Sequence, residues 1–326
     1  MTHWQSLLLG VIEGITEYLP ISSTGHLVVA QKLMHIGTEQ PGMSEMQIAS
    51  AKEGADAFAV CIQGGAILAV LGLYWKHVKQ MLAGLFGRDP SGLKLLIALI
   101  VGFMPAAVIG LLFHHWIEAH LFGLWPIVTA WTLGGIGILA ATLWRRMHPV
   151  ASNRKELGHL TWQMALVIGG LQCIAMCPGT SRSLMTIAGG LLVGLSIRAA
   201  VEYSFLLGVL TLTAATAKTA FDKAQESGPE YAHHFGTAKL MLHQFGATNL
   251  LVGSLAAAIS AAIAVKWLVG NLQRHGLVGF GWYRVALGLA VGGMLWKGVI
   301  EDDRRLPDHA QASQASDGPE HGENAR

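Results

Sequence analysis

Residues 13–27, EGITEYLPISSTGHL, set two carboxylates (Glu13, Glu17), a run of three hydroxyls (Ser22, Ser23, Thr24) and one imidazole (His26) inside an otherwise apolar, membrane-length stretch. A charged side chain near the bilayer centre costs about 2.5–3.5 kcal/mol on an insertion scale, so the two glutamates oppose insertion unless they are paired, hydrated or protonated. Pro20 interrupts the stretch. Proline lacks an amide donor and breaks the helical ladder. Irregular backbone at membrane depth is tolerated only where protein buries it or where it lines a water-filled cavity. The region from Trp4 to Ile36 therefore reads as a broken, re-entrant hairpin with a polar tip, and the tip reads as a site.

Outward from this segment the chain is that of a polytopic membrane protein: 52% of its 326 residues are hydrophobic and 13% are charged. About 20 helical residues cross a hydrocarbon core. Six stretches qualify, running approximately from Ala55 to Trp75, Leu93 to Phe113, Leu121 to Trp144, Val201 to Phe221, Ala247 to Gly270 and Gly279 to Lys297. A second interrupted region, Leu160 to Leu195, carries Pro178-Gly179-Thr180-Ser181-Arg182-Ser183 at its break. The predicted fold is all-α, with six transmembrane helices and two broken re-entrant hairpins in a single transmembrane domain over residues 1–300. Residues 301–326, rich in Asp, Glu, Gln, Ser and Pro, are expected to be a disordered polar tail.

Hairpin plus three spans occurs twice, giving repeats of about 1–150 and 156–300, and Pro20 to Thr24 can be laid over Pro178 to Arg182. A hairpin that returns to its own side, followed by three crossings, is an odd number of crossings, so the second repeat is expected to be inverted. Lys76, Lys79, Arg88 and Lys94 mark one basic loop and Arg145, Arg146, Arg154 and Lys155 another. Separated by two spans, both fall on one side, the cytoplasmic one under the positive-inside rule. The turn from His114 to His120 then faces outward, and the two broken hairpins enter from opposite faces with their tips near the midplane.

Glu13 and Glu17, four apart, share one helical face. After Pro20, the hydroxyls of Ser22, Ser23 and Thr24 suit the start of a short second helix with His26 on its first turn. A helix N-terminus offers unpaired amides and partial positive charge to an anion. The second tip repeats the device with Gly179, Thr180, Ser181 and Ser183, and adds Arg182, whose fork matches phosphate oxygens. Together they specify an anion, a phosphate above all. Two carboxylates repel a polyanion, so either a divalent cation held by Glu13 and Glu17 neutralises them, or burial keeps one protonated as a general acid. Ser23 and His26, three apart, can pair as nucleophile and base with Glu17 orienting, or a water can be activated instead. Plainer roles stand beside these: the hydroxyls as caps alone, Arg182 as a structural partner of a glutamate.

A net charge of +2 argues against a nucleic-acid reader. Cys61, Cys173 and Cys177 lie in apolar segments and read as packing residues. His233 and His234, in the hydrophilic loop from Asp222 to Gly246, have no metal-ligand spacing, and no cleavable signal peptide is expected.

At these residues the chain resembles the undecaprenyl-diphosphate phosphatase family of bacterial inner membranes, associated with bacitracin resistance. EGITEYLPISSTGHL and PGTSRS look like the family's two hallmark regions, and FAVCIQGGAILAV from Phe58, MPAAVIGLLF from Met104 and SIRAAVEYSFLL from Ser196 are similar to family segments. The resemblance implies hydrolysis of undecaprenyl diphosphate to undecaprenyl phosphate and inorganic phosphate, recycling the lipid carrier for cell-wall synthesis. It implies a site towards the outer face and dependence on a divalent cation, Mg2+ or Ca2+. It also places catalytic importance on Glu13, Glu17, Ser23, His26 and Arg182. Substrate contacts are expected from Ser22, Thr24, Gly179, Thr180, Ser181, Arg182 and Ser183, and a homodimer is compatible with the glycine-rich spans. Two positions depart from the family pattern: Ala59 stands where an acidic residue is usual, leaving Asp56 as the nearest carboxylate, and Leu184 stands where glycine is common. A polyprenyl-phosphate flippase or transporter using the same anion pocket is the competing reading, because inverted repeats with discontinuous helices are also a transporter architecture.

Overall fold

The computed structural model describes residues 1–39, 42–121, 123–147, 154–222, 235–300 and 302. These form eleven α-helices: α1 (His3–Thr16), α2 (Ser23–Leu33), α3 (Glu45–Leu73), α4 (Trp75–Leu85), α5 (Pro90–Leu121), α6 (Leu124–Met147), α7 (Trp162–Gln172), α8 (Arg182–Leu192), α9 (Ile197–Phe221), α10 (Gly236–His275) and α11 (Val278–Trp296). Among the described residues there is no β-strand; an isolated bridge joins Lys155 to Leu195. Six of the helices are long and apolar enough to cross a membrane, and each contains most of one predicted span. The remaining apolar regions are broken in two, α1–α2 and α7–α8, as Pro20 and Pro178 require.

Local chemistry sets the boundaries. Thr2 and Ser44 each close a capping box, with Gln5 and Gln47, at the starts of α1 and α3. The Ser44 box extends α3 well upstream of the predicted Ala55. Asp89 accepts hydrogen bonds from the Ser91 and Gly92 amides and opens α5, with Pro90 at its first position. Gly246 (φ 77°, ψ 153°) interrupts α10 one residue before the predicted span begins. The segment ahead of it, from Gly236, is helical, which corrects its reading as a loop. His233 and His234 lie outside the described residues. So does the predicted tail, except Asp302, whose carboxylate accepts from the Leu124 amide and caps α6.

The first helix of each half packs on a long helix of the other, α1 on α10 and α7 on α5, while α3 meets α9 and α6 meets α11. Small residues allow these approaches. A side chain at Gly10 would come within 2.2 Å of the Gly253 carbonyl, and one at Gly169 within 2.2 Å of the Gly102 carbonyl. The main core, around Tyr18, Ile168, Tyr203, Phe205 and Leu268, lies between the halves and backs both broken helix pairs.

Candidate active site

At the first break α1 ends at Glu17, whose amide still donates to the Glu13 carbonyl, and α2 starts at Ser23. At the second, α7 passes into a 3-10 turn, Cys173–Met176, and α8 starts at Arg182. The residue before each new helix is a serine in a left-handed conformation: Ser22 at φ 72° and Ser181 at φ 75°. Such a conformation in a non-glycine residue costs on the order of 1–3 kcal/mol and persists where the surroundings over-determine it. The two serines also correct the sequence alignment of the breaks. Superposing the prolines pairs Ser22 with Thr180, whereas the backbone pairs Ser22 with Ser181 and Ser23 with Arg182. The second break holds one more residue between proline and cap.

The tips meet. Arg182 Nη2 donates to Glu17 Oε1 at 2.8 Å and Nη1 donates to the Ser204 carbonyl on α9 at 2.9 Å. The Ser23 hydroxyl donates to the other Glu17 oxygen at 2.5 Å. Glu17 thus receives a cation from one break and a hydroxyl from the other on its two oxygens. Gly208 makes room for the guanidinium, since a Cβ there would fall 2.3 Å from Arg182 Nη1. A cavity of about 100 Å3 opens on this cluster. It is lined by Glu17, Ser22, Ser23 and Thr24 from the first break and by Pro178, Gly179, Ser181 and Arg182 from the second, with Gln63 reaching in from α3.

Other expected residues stand outside the cavity. Glu13 is fully buried behind Glu17, within the field of Glu17 and Arg182, and neither of its oxygens accepts a hydrogen bond from the described donors. Thr180 donates its hydroxyl to the Cys177 carbonyl at 2.5 Å, and Ser183 donates to the Leu19 carbonyl at 2.8 Å. Both are taken up by backbone, so they shape the tips rather than face the cavity. His26 does not pair with Ser23. Its Nδ1 meets the Ser22 carbonyl at 2.6 Å and its Nε2 meets the Tyr283 hydroxyl at 2.8 Å. Since a carbonyl can only accept, Nδ1 carries the proton, while the Tyr283 hydroxyl can donate to Nε2 or accept from it. A residue at the fourth position of a helix reaches back to the cap carbonyl, which draws the imidazole away from Ser23. Asp56 is exposed on α3 and Leu184 is buried with its amide donating to Ser181 Oγ; neither they nor Ala59 is among the described residues lining the cavity. Arg198 and Glu202, four apart at the start of α9, form an ion pair at 2.9 Å away from the cavity.

Arg284 of α11 is missing from the sequence reading. It is completely buried, and its guanidinium donates to the carbonyls of Pro20 (3.4 Å) in one break, Gly179 (2.9 Å) and Thr180 (3.2 Å) in the other, and Ala130 (2.8 Å) on α6. Trp131 adds a bond from its indole nitrogen to the Ile21 carbonyl at 2.9 Å. A lone arginine inside an apolar span was the available signal, because an intramembrane charge marks function by default. Trp131 and Ser204 carry no such signal.

Among the described residues, no group of three or more His, Cys, Asp or Glu side chains is placed to hold a metal. The arrangement nevertheless contains what phosphoryl chemistry needs: a hydroxyl on a carboxylate, a guanidinium facing the same space, and the first residues of two helices lining it.

Known proteins resemble the chain over most of its length. The family described as bacitracin resistance protein BacA matches residues 6–290. The chain is 40% identical over 296 residues to a protein of Rhodospirillum rubrum named undecaprenyl-diphosphatase 2, covering 91% of this chain and 96% of that one. It is 39% identical over 297 residues to an undecaprenyl-diphosphatase of Sorangium cellulosum (91% and 86%) and 38% identical over 290 residues to one of Pseudomonas fluorescens (89% and 93%). The chain belongs to the bacitracin resistance protein BacA family.

Proposed function

We infer that this membrane protein is an undecaprenyl-diphosphatase, hydrolysing undecaprenyl diphosphate to undecaprenyl phosphate and inorganic phosphate and so returning the carrier lipid to cell-wall synthesis. The observation that carries the reading is the Glu17 carboxylate held between Ser23 at 2.5 Å and Arg182 at 2.8 Å, in a cavity both breaks line. The names of its relatives supply the substrate.

In the proposed mechanism Ser23 Oγ attacks the terminal phosphorus while its proton passes to Glu17. The anhydride bond breaks, releasing undecaprenyl phosphate, and water then cleaves the phosphoserine to free inorganic phosphate. Arg182 offsets charge on the phosphoryl oxygens, and free amides at the starts of α2 and α8 would do the same. Without Arg182, a phosphate charge 4 Å from a bare carboxylate is repelled by about 4 kcal/mol at an effective dielectric near 20. The orphaned oxygens of Glu13, next to Glu17, form a hard-oxygen donor set that suits a divalent cation. Glu13 and Glu17 would hold it as Mg2+ or Ca2+, and when bound it supplies Lewis-acid polarisation of the phosphoryl group. His26 supports the strained Ser22 carbonyl from outside the cavity.

The basic residues Lys76, Lys79, Arg88 and Lys94 support a cytoplasmic position for the α3–α5 connection, hence an inner-membrane protein whose second half is inverted and whose site is served from the outer face. The test is phosphate release from undecaprenyl diphosphate by purified protein in detergent, with and without chelator. Glu17→Gln and Arg182→Ala are expected to abolish it. Retained turnover in both would overturn the site, and lipid movement across sealed vesicles without phosphate release would overturn the hydrolytic reading.

A further inference from the structure

We propose that the apolar crevice between α5 and the 3-10 turn Cys173–Met176 receives the isoprenoid units next to the diphosphate, an assignment that rests on the hydrolytic reading above. The crevice measures about 320 Å3, against about 100 Å3 for the polar cavity. Ile109, Phe113 and Ile117 of α5 form one wall, and Ile174, Met176 and Cys177 form the other. Among the described residues, no charged or hydroxyl side chain lines it.

Its position follows from the fold. α7 lies against α5 at Gly169 and Gly102, then stops at Gln172, while α5 continues to Leu121. The gap left beside the continuing half of α5 is the crevice, and among the described residues the 3-10 turn and Cys177 face it.

That turn is shared with the anion cavity. Ala175 and Pro178 line the cavity, while Ile174, Met176 and Cys177, interleaved with them, line the crevice. A substrate with a polyanionic head and an apolar chain needs these two environments side by side. The polar cavity is too small and too polar to take the chain. On the α6 and α11 side the chain has no exit, because Trp131, Arg284 and the His26–Tyr283 pair fill that flank with hydrogen-bonded side chains. Ile174 and Phe113 are half exposed at the mouth of the crevice, so a chain lying there can continue into surrounding lipid. A ligand pocket that is mostly apolar with a few convergent polar groups at one end is the usual form for an amphiphile.

The test uses the full-length protein in nanodiscs with a polyprenyl diphosphate carrying a photoreactive diazirine on its first isoprene units. Adducts are expected within residues 109–117 and 173–177, and excess undecaprenyl diphosphate should reduce them at least tenfold. Adducts confined to other helices would overturn the proposal. So would labelling of these segments that the competitor leaves unchanged, since that marks a groove for bulk phospholipid chains. A second measurement fills the crevice from the wall remote from the chemistry: Ile109→Trp and Ile117→Trp are each expected to raise KM for undecaprenyl diphosphate about tenfold with kcat largely kept. Unchanged KM in both would also sink the assignment. The labelling is done on the unsubstituted chain, so a variant that fails to fold leaves the proposal testable. Phosphate release with adducts elsewhere removes only this inference, whereas absence of phosphate release removes the hydrolytic reading itself.

Discussion

Arg182 and Glu17, contributed by opposite halves of the chain, form a buried ion pair at 2.8 Å in which the arginine is also tied to the Ser204 carbonyl. Removing one partner of such a pair leaves an uncompensated charge and typically costs about 3–5 kcal/mol. Arg182→Ala is therefore expected to lower kcat/KM at least a thousandfold and to lower the unfolding temperature as well. Arg182→Lys should not rescue, because one ammonium cannot reproduce the fork that spans Ser204 and Glu17. The pair Arg182→Ala with Glu17→Gln should be less unstable than Arg182→Ala alone, a non-additivity read directly by thermal unfolding of the three variants.

Gly208 gives a quieter route to the same group. Its α-carbon faces the guanidinium, and a methyl there would stand 2.3 Å from Nη1. Gly208→Ala should displace Arg182 by several tenths of an ångström or more, and misplacements approaching 1 Å cost up to about 100-fold in rate. The expected outcome is a 10- to 100-fold loss of kcat in a well-folded protein. Wild-type turnover would show that Arg182 does not need its observed position.

Ser23 bonds to Glu17 and His26 bonds elsewhere, so the two should separate in kinetics. A positioned general base contributes about 10²–10⁴-fold. Ser23→Ala and Glu17→Gln should each fall by at least that range, with His26→Ala at least tenfold milder than either. A phosphate-release series on the three variants settles the order, and a His26 defect equal to that of Ser23 would restore the imidazole as the base.

Arg284 holds four carbonyls, two of them in the second break. Arg284→Met removes this donor from all four, and each buried acceptor left unsatisfied costs about 1–3 kcal/mol. That protein should be recovered in low yield and show rapid proteolysis at both breaks. Arg284→Lys keeps the charge but not the reach, and is expected to fold with a lowered midpoint; limited proteolysis across residues 17–24 and 177–183 is the measurement.

The Asp89 carboxyl accepts from the Ser91 hydroxyl and the Gly92 and Ser91 amides, which hold it below its usual value. A depressed folded-state value means the capping contribution is fully present above the unfolded value, about 3.9, and is lost as pH falls through the lower folded one. Protease sensitivity of the α4–α5 connection should rise with acidification in that window, and Asp89→Asn should flatten the dependence.

Glu17, Ser23 and Arg182 were legible because polar side chains beside a proline are conspicuous in an apolar run, and their chemistry names a phosphate before any coordinates do. The span count was legible for the same reason. Helix α4 was not, since its lysines and histidine make its sequence resemble a basic loop and its length is below what a span requires. The pairing of Ser23 with Glu17 rather than His26 depends on where a left-handed serine turns the chain, and a bend of that kind leaves no periodicity to read. The grip of Arg284 and Trp131 on the tips joins residues more than a hundred positions apart, and spacing within a segment says nothing about such contacts.

The grip comes from α11, which leaves the ribosome after both breaks. Until residues 278–296 have been delivered and have docked on α6, the carbonyls of Pro20, Gly179 and Thr180 lack their common donor. A nascent chain without α11 therefore carries two unjoined breaks, and hydrolytic competence is expected only once α11 has docked.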